Sequence, residues 1–255
     1  MRPDPYAWSA DLDGLLVVGA LLAAYVVGIR AHPAPRWRIA CFAAGLALVL
    51  VSHVSPLAAL SNDYLLSAHL LQNVALAEWA PLLCVLGLPP ALAARLAALP
   101  GARLLTHPGV ALPLWLTTYF AWHLPWAYDA ALEHPGTLLH LEHACYFAAG
   151  VLLWWPVVHD SPRRLPSGTK AVYLFGAFVL ASPIGLLLSL LPGPVYDFYE
   201  NAPRLWGLSA LADQQIAGVT MAVEEAVVFF AACSLYFFRF LGEEEARGAL
   251  SSGSR

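Results

Sequence analysis

The chain has 255 residues and a formal net charge of −4, and its residues are 60% hydrophobic but only 12% charged. Soluble domains have about a quarter of their residues charged, so this composition excludes an ordinary soluble protein and indicates one that lies in lipid. It also provides no basic surface that would suit a nucleic acid.

Seven apolar runs follow one another along the chain, at about residues 12–30, 38–57, 64–87, 109–126, 138–158, 171–191 and 213–239. Each is close to the ~20 residues that cross a bilayer as a helix. The first run is not a cleavable signal, because Asp4, Asp11 and Asp13 precede it where basic residues are required. The sequence predicts an all-α polytopic membrane protein. Residues 1–240 form a single bundle of seven transmembrane helices, and residues 241–255 form a disordered cytoplasmic tail.

The basic residues predict the orientation of this bundle. Arg2 and Arg204 fall on the side of the N-terminus, whereas the other 11 of the 13 Lys and Arg fall on the opposite side. Loops rich in Lys and Arg stay in the cytoplasm. We therefore expect the N-terminus outside and the C-terminus in the cytoplasm.

The second and third runs contain polar residues that a lipid-facing helix would avoid. His53 stands near the outer end of the second run, and His69, Gln72 and Asn73 form one stripe at helical spacing on the third. Glu78 follows nine residues after His69, roughly 13 Å further along the helix. A carboxyl group at that depth is protonated, paired or next to a watered cavity.

Titratable groups are densest where the fourth and fifth runs meet. Within 21 residues the chain has His123, Asp129, Glu133, His134, His140, Glu142 and His143. His140 and His143 stand three apart, so a helix would place them on one face, as two ligands of one ion would be. The short loop between the two helices brings His123 near them, and we expect all three to converge with His69 in the outer half of the bundle.

Each histidine alone could simply tie two helices together by a hydrogen bond. As a set, histidines in the outer half or outer loops favour a site for copper, zinc or iron. The candidate ligands are His53, His69, His123, His134, His140 and His143.

The seventh run begins with Asp213 and Gln214, which suit the N-terminal end of a helix dipole. Glu224 and Glu225 follow at depth. Adjacent helical residues point about 100° apart, so only one of them is expected to share a proton or a cation with Glu78. A hydrogen bond to a neighbouring Ser, Thr or His is the alternative. We expect at least one of the three carboxyl groups to be protonated at neutral pH.

Three stretches of the chain resemble the CtaG family of cytochrome c oxidase assembly factors, named for the caa3-type oxidases. They are SPLAAL…LLSAHLLQN…APLLCVLGLP, WHLPWAYDAALEHPGTLLHLEHACYFAAGVLLWWPV and PRLWGLSALADQQIAGVTM, and together they cover nearly all of residues 50–240. The middle stretch is the most specific. The residues that match by position are His69, Gln72, His123, Asp129, His134, His140, Glu142, His143, Asp213 and Gln214.

The resemblance implies a multi-pass protein of the inner (plasma) membrane that is needed to mature haem–copper oxidase and is not an enzyme. Its histidines would bind copper and deliver it to the oxidase's copper-bearing catalytic subunit. The residues expected to orient these ligands or exchange protons are Gln72, Asn73, Glu78, Asp129, Glu142, Asp213, Gln214, Glu224 and Glu225. The family usually has a histidine where this chain has Asn73, and an apolar step where it has Glu224 and Glu225.

Two other functions fit parts of the sequence. Facing intramembrane histidines could hold a haem, and Glu78 with Glu224 or Glu225 could serve a proton or metal-ion transporter, although no inverted repeat supports a transporter. A retinal protein is excluded, because the only lysine, Lys170, lies at the cytoplasmic end of the sixth run rather than in its middle.

Overall fold

A computed structural model describes residues 4–9 and 11–252. Within these residues the structure consists of helices and has no strand, which confirms the all-α prediction. In chain order the helices are α1 Leu12–Ala31, α2 Arg36–Val54, α3 Pro56–Asp63, α4 Leu66–Gly87, α5 Pro90–Ala97, α6 Ala102–Leu105, α7 Pro108–Trp122, α8 Pro125–Glu133, α9 Pro135–Val158, α10 Ser167–Leu190, α11 Asp197–Glu200 and α12 Ala210–Ser252.

Six helices of the described chain are long and apolar enough to cross a membrane: α1, α2, α4, α9, α10 and α12. The fourth predicted span corresponds to α7, which has 15 residues and is shorter than the run at 109–126. It ends at Trp122 because Pro125 disfavours helical backbone at the preceding residue, and Leu124 is extended. Six of the predicted spans therefore correspond to helices long and apolar enough to cross a membrane, and the seventh stays a prediction.

The last helix is longer than its apolar run. Where the sequence predicts a disordered tail, α12 continues as far as Ser252. Good helix-forming residues and an ion pair between Arg247 and Glu244, one turn apart, favour this extension. In addition, the Ser167 hydroxyl donates to the Glu243 carboxylate at 2.6 Å, which links α10 to α12.

Helix α4 lies at the centre of the bundle. In its most apolar stretch 72% of the residues are buried, against 11% for α1. It packs against α2, α9 and α12. Its apolar residues Leu66, Leu70 and Val74 join the largest core cluster, which also contains Trp115 and Trp154. The polar stripe of α4 thus faces other helices rather than lipid.

A glycine allows α4 and α9 to approach closely. A Cβ atom at Gly150 would lie 2.1 Å from the carbonyl oxygen of Ala77. Such close contacts between small residues are typical of helix pairs in membranes, where dispersion forces and weak hydrogen bonds replace the hydrophobic effect.

We predict that Gly150→Ala destabilises the protein, because the added methyl group must push α9 away from Ala77. Overpacking of this kind costs about 1–3 kcal/mol. The matched control is Gly176→Ala in α10, where no atom lies within 4 Å of the added Cβ and where alanine should be neutral or stabilising. Thermal unfolding in detergent measures both; equal melting temperatures for the two variants would contradict the observed contact.

The predicted orientation can be tested with single cysteines. In a variant without the four native cysteines, a cysteine at position 4 should react with a membrane-impermeant maleimide in intact cells, and a cysteine at position 245 only after permeabilisation. Labelling of position 245 in intact cells would show that the orientation is wrong.

Candidate functional site

Four histidines lie near one another in the bundle, three from α2, α4 and α9 and one directly after α7. We call His53, His69, His123 and His143 the imidazole cluster. The ring centroids of His53 and His143 are 5.1 Å apart, and those of His69 and His143 are 6.1 Å apart. His123 lies further away, on the other side of the buried Tyr128 ring, which is 5.0 Å from His69 and 6.0 Å from His123.

Polar contacts between helices hold the cluster together. The Gln72 side-chain amide donates to the Ser52 carbonyl at 2.7 Å and so ties α4 to α2 next to His53. The Asn73 amide donates to Glu142 at 3.0 Å and ties α4 to α9 next to His143. The polar stripe predicted on the third run therefore positions the histidines.

The partners of the rings determine which nitrogen holds the proton. In His53 and His123 the Nδ1 atom lies 2.8 Å from a backbone carbonyl, which can only accept, so Nδ1 is the donor. His143 Nδ1 then donates to His53 Nε2 at 3.3 Å. In all three rings the lone pair is therefore on Nε2.

Tyr199 has the same effect on His69. Its hydroxyl donates to the Ser61 carbonyl and must accept from His69 Nδ1, which lies at 2.9 Å. Burial raises the pKa of the Tyr199 hydroxyl, so this group stays a neutral phenol. The Nε2 atoms of His69, His123 and His143 are buried and have no hydrogen-bond partner among the described residues. Neutral imidazoles with free Nε2 lone pairs are suited to bind a metal ion.

A carboxylate lies beside these lone pairs. Glu142 Oε1 is 3.7 Å from His69 Nε2, and its other oxygen has no partner among the described residues. Two lone-pair-bearing atoms this close repel each other unless a proton or a cation lies between them. The arrangement thus favours a positive charge at this point.

Two other predicted ligands lie outside the cluster. His140 lies between Asp11 and Asp13 at the start of α1, with its Nε2 3.8 Å from Asp11 and its Nδ1 3.6 Å from Asp13. His134 is exposed, and its Nδ1 lies 3.0 Å from the carbonyl of Ala130 in its own helix. His140 and His143 share a face of α9, but His140 lies beside the aspartates of α1 and His143 lies in the imidazole cluster.

Sequence reasoning missed the two aspartates as neighbours of His140. In the sequence, Asp11 and Asp13 indicated only that the first apolar run is not a signal peptide. Their spacing of two residues at the start of an apolar run was the only signal, and it does not reveal which helix they contact.

Two open cavities connect these groups. One, of about 320 Å³, is lined by Asp11, His53, Gln72, His140 and His143 among others. The other, of about 440 Å³, is lined by Asp13 and the same three histidines. His53, His140 and His143 therefore face both cavities.

Three of the polar residues predicted to orient the histidines, Asp213, Gln214 and Asp129, instead accept hydrogen bonds from backbone amides. The Asp213 carboxylate accepts the amides of Leu66 and Ser67, at 2.7 and 3.2 Å, and so caps α4 rather than its own helix. Gln214 fixes the loop before α11 by accepting from Val195 at 2.7 Å.

Asp129 plays the same part for the short helix α11. It accepts the backbone amides of Asp197 and Phe198, at 3.2 and 3.1 Å. Partial burial raises the pKa of its carboxyl, and the two hydrogen bonds oppose that shift.

The three deep carboxyl groups form a separate cluster between α4, α7 and α12. Glu78 is within hydrogen-bonding reach of Glu224, which also accepts from the Trp79 indole. Glu225 points elsewhere and accepts from the Tyr119 hydroxyl at 2.7 Å. Adjacent residues Glu224 and Glu225 thus have different partners. Two carboxyl groups can share a hydrogen bond only if one of them holds a proton.

We predict that Glu78 and Glu224 share a proton at neutral pH, since burial of both as anions would be too costly. The infrared spectrum should show the carbonyl band of a protonated carboxyl group, shifted in ²H₂O and reduced in Glu78→Gln and in Glu224→Gln. Asp129→Asn is the control and should leave this band unchanged. A band that persists at full strength in both glutamine variants would refute the shared proton.

Comparison with known proteins agrees with this architecture. The family described as cytochrome c oxidase caa3 assembly factor (Caa3_CtaG) matches residues 20–243, from within α1 to α12. Two uncharacterized proteins, Mb0105 of Mycobacterium bovis and MT0111 of Mycobacterium tuberculosis, are each 24% identical over 227 residues. These alignments cover 80% of this chain but 34% of each relative, so the chain spans about a third of their length. No solved structure matches the chain.

The family match covers most of the chain and includes every helix that contributes to the imidazole cluster. It confirms the resemblance seen in the sequence, and the chain belongs to the family of cytochrome c oxidase caa3 assembly factors.

Proposed function

We propose that this assembly factor binds copper through His53, His69 and His143 and delivers it to the copper-bearing catalytic subunit of a haem–copper oxidase in the plasma membrane. Copper is the cargo in this proposal rather than a resident cofactor. Glu142 completes the surroundings of the ion, and His123 lies beyond Tyr128. Membership of an assembly-factor family indicates a role without catalysis.

The observation that supports this proposal best is the common tautomer of the rings, with the proton on Nδ1 and the lone pair on Nε2. Metal-binding histidines almost always donate their other nitrogen to a carbonyl, a carboxylate or a water, which fixes the tautomer. Here His53 and His123 donate to carbonyls and His69 donates to Tyr199. The lone pairs of His69 and His143 are left free.

The distances between rings suit a shared ion. A metal–imidazole bond of about 2.0 Å places the centroids of two rings on one ion within roughly 6.5 Å of each other. The distances of 5.1 Å for His53 and His143 and 6.1 Å for His69 and His143 lie within this limit. Binding requires the His143 ring to give up its hydrogen bond to His53.

The donor set favours copper. Divalent copper binds nitrogen donors more tightly than the other first-row ions do. A site built from neutral imidazoles with one carboxylate nearby binds the ion less tightly than a cage of thiolates would. Reversible binding is what a protein that transfers its ion requires.

We predict that the double variant His69→Ala/His143→Ala folds but loses copper. Each lost side chain removes hydrogen bonds that average about 0.6 kcal/mol in membrane proteins. Loss of outer partners alone weakens metal binding 10–100-fold, so loss of two ligands should cost at least about 100-fold. Copper per protein and the affinity measured by competition titration are the readouts. His134→Ala, at an exposed histidine, is the matched control.

In cells, the double variant should assemble an oxidase that retains haem but lacks copper at its catalytic centre. Excess external copper should partly restore it by mass action. Normal oxidase activity together with normal copper binding in the double variant would refute the proposal. The protein would then act as a scaffold for oxidase subunits.

A further inference from the structure

Asp11, Asp13 and His140 form a second group at the outer end of the bundle, which we call the rim site. One ligand atom from each of the three residues lies within 4.8 Å of the others. Among the described residues, this is the group of three His, Cys, Asp or Glu side chains that meets this criterion. The imidazole cluster is more widely spaced. Asp11 and Asp13 precede the part of the chain that the family match covers.

The spacing within the rim site fits an ion better than a direct hydrogen bond. The two nitrogen–oxygen distances are 3.6 and 3.8 Å, whereas a hydrogen bond to nitrogen is about 2.7–3.2 Å long. The two aspartates approach different nitrogens of His140, and a single ion can bind only one of these. One ligand atom from each of the three residues lies within 4.8 Å of the others, close to the roughly 3–4 Å that separates two ligands of one ion. Asp11 uses Oδ1 to cap α1 by accepting the amides of Asp13 and Gly14, so its Oδ2 is free to face His140.

A second observation connects the rim site to a ligand. Asp11 lines the first cavity, Asp13 lines the second, and His140 lines both. His143 also lines both; it is 5% exposed, and its Nε2 has no partner among the described residues. Gln72 also lines the first cavity, and its Oε1 has no partner among the described residues. Buried polar atoms without partners are costly in a membrane interior. They therefore indicate that these cavities bind a polar ligand.

We propose that the rim site binds divalent copper from the outer solution and passes it along the two cavities to the imidazole cluster. Two carboxylates balance the charge of a divalent ion, and a set of nitrogen and oxygen donors suits Cu²⁺. The side chains of Asp13 and His140 are 71% and 35% exposed, so the ion can be acquired from water. The transfer step rests on the proposed function, whereas binding at the rim does not.

The competing role for these residues is mechanical. A protonated His140 between two carboxylates would tie α1, the least buried span, to α9 by an ion pair. Ion pairs this exposed contribute little to stability, about 0–1 kcal/mol. The two roles differ in what can replace His140. Arginine keeps the ion pair but cannot ligate a metal ion.

The test titrates Cu²⁺ alone into full-length protein in detergent and follows binding by electron paramagnetic resonance and calorimetry. Asp13→Asn/His140→Arg should lose one equivalent of Cu²⁺, with affinity at least about 100-fold weaker, and should keep the wild-type melting temperature. Asp11→Asn preserves the cap of α1, since Asn caps as well as Asp does, and should weaken the same equivalent. His134→Gln, the matched control, should bind like the wild type.

The variants separate this proposal from the proposed function. His69→Ala/His143→Ala should lose the other equivalent and keep the rim equivalent. If that variant binds Cu²⁺ as the wild type does while the rim variant loses an equivalent, the rim site stands and the imidazole cluster fails as a copper site. Wild-type Cu²⁺ binding by Asp13→Asn/His140→Arg would overturn the rim proposal and assign the three residues to the tether between α1 and α9.

Discussion

The need to satisfy polar groups inside a membrane governs this structure. Helix α4 has His69, Gln72, Asn73 and Glu78 on faces that are buried, and hydrocarbon offers no hydrogen bonds to any of them. The surrounding helices supply the partners: a carbonyl from α2, a carboxylate from α9 and a second carboxyl group from α12. The positions of α2, α9 and α12 are therefore linked to the side chains of α4.

This linkage explains why the two polar clusters are kept apart. The imidazole cluster lies beside two cavities in the outer half, whereas the carboxyl cluster lies between α4, α7 and α12, where Glu224 lines a separate cavity of about 460 Å³. Tyr119 lies between them: its hydroxyl contacts Glu225 and its carbonyl accepts from His123. The protein thus separates a cluster of histidines from a cluster of carboxyl groups, with α7 as the structural connection.

Local patterns in the sequence predicted some of this arrangement well. The stripe of His69, Gln72 and Asn73 follows from helical spacing alone, whereas the apolar run predicted at 109–126 extends past Pro125 and misses the end of α7 at Trp122. The partner of His140 was not predictable, because it depends on how α1 packs against α9, and a uniformly apolar helix gives no sign of its orientation. The same holds for Asp213, which caps a helix that begins 147 residues before it in the chain. Pairings of this kind are decided by tertiary packing rather than by periodicity.

The middle of α4 is not an ordinary α-helix. Residues Ala75–Trp79 form a π-helical turn, and Pro135–Leu139 form another at the start of α9. A π-turn holds one residue more than an α-turn and usually arises from a single inserted residue, which rotates everything beyond it by about 100°. The π-turn therefore changes the face on which Glu78 lies, relative to the outer stripe, by about 100°. A homologue that lacks it would keep its histidines in place and present a different face of the inner half of α4 to α12. An alignment of such a homologue with this chain needs a one-residue gap at the π-turn. A chimaera joined there without the gap would retain every motif, but the inner half of α4 would be rotated and Glu78 would no longer face Glu224.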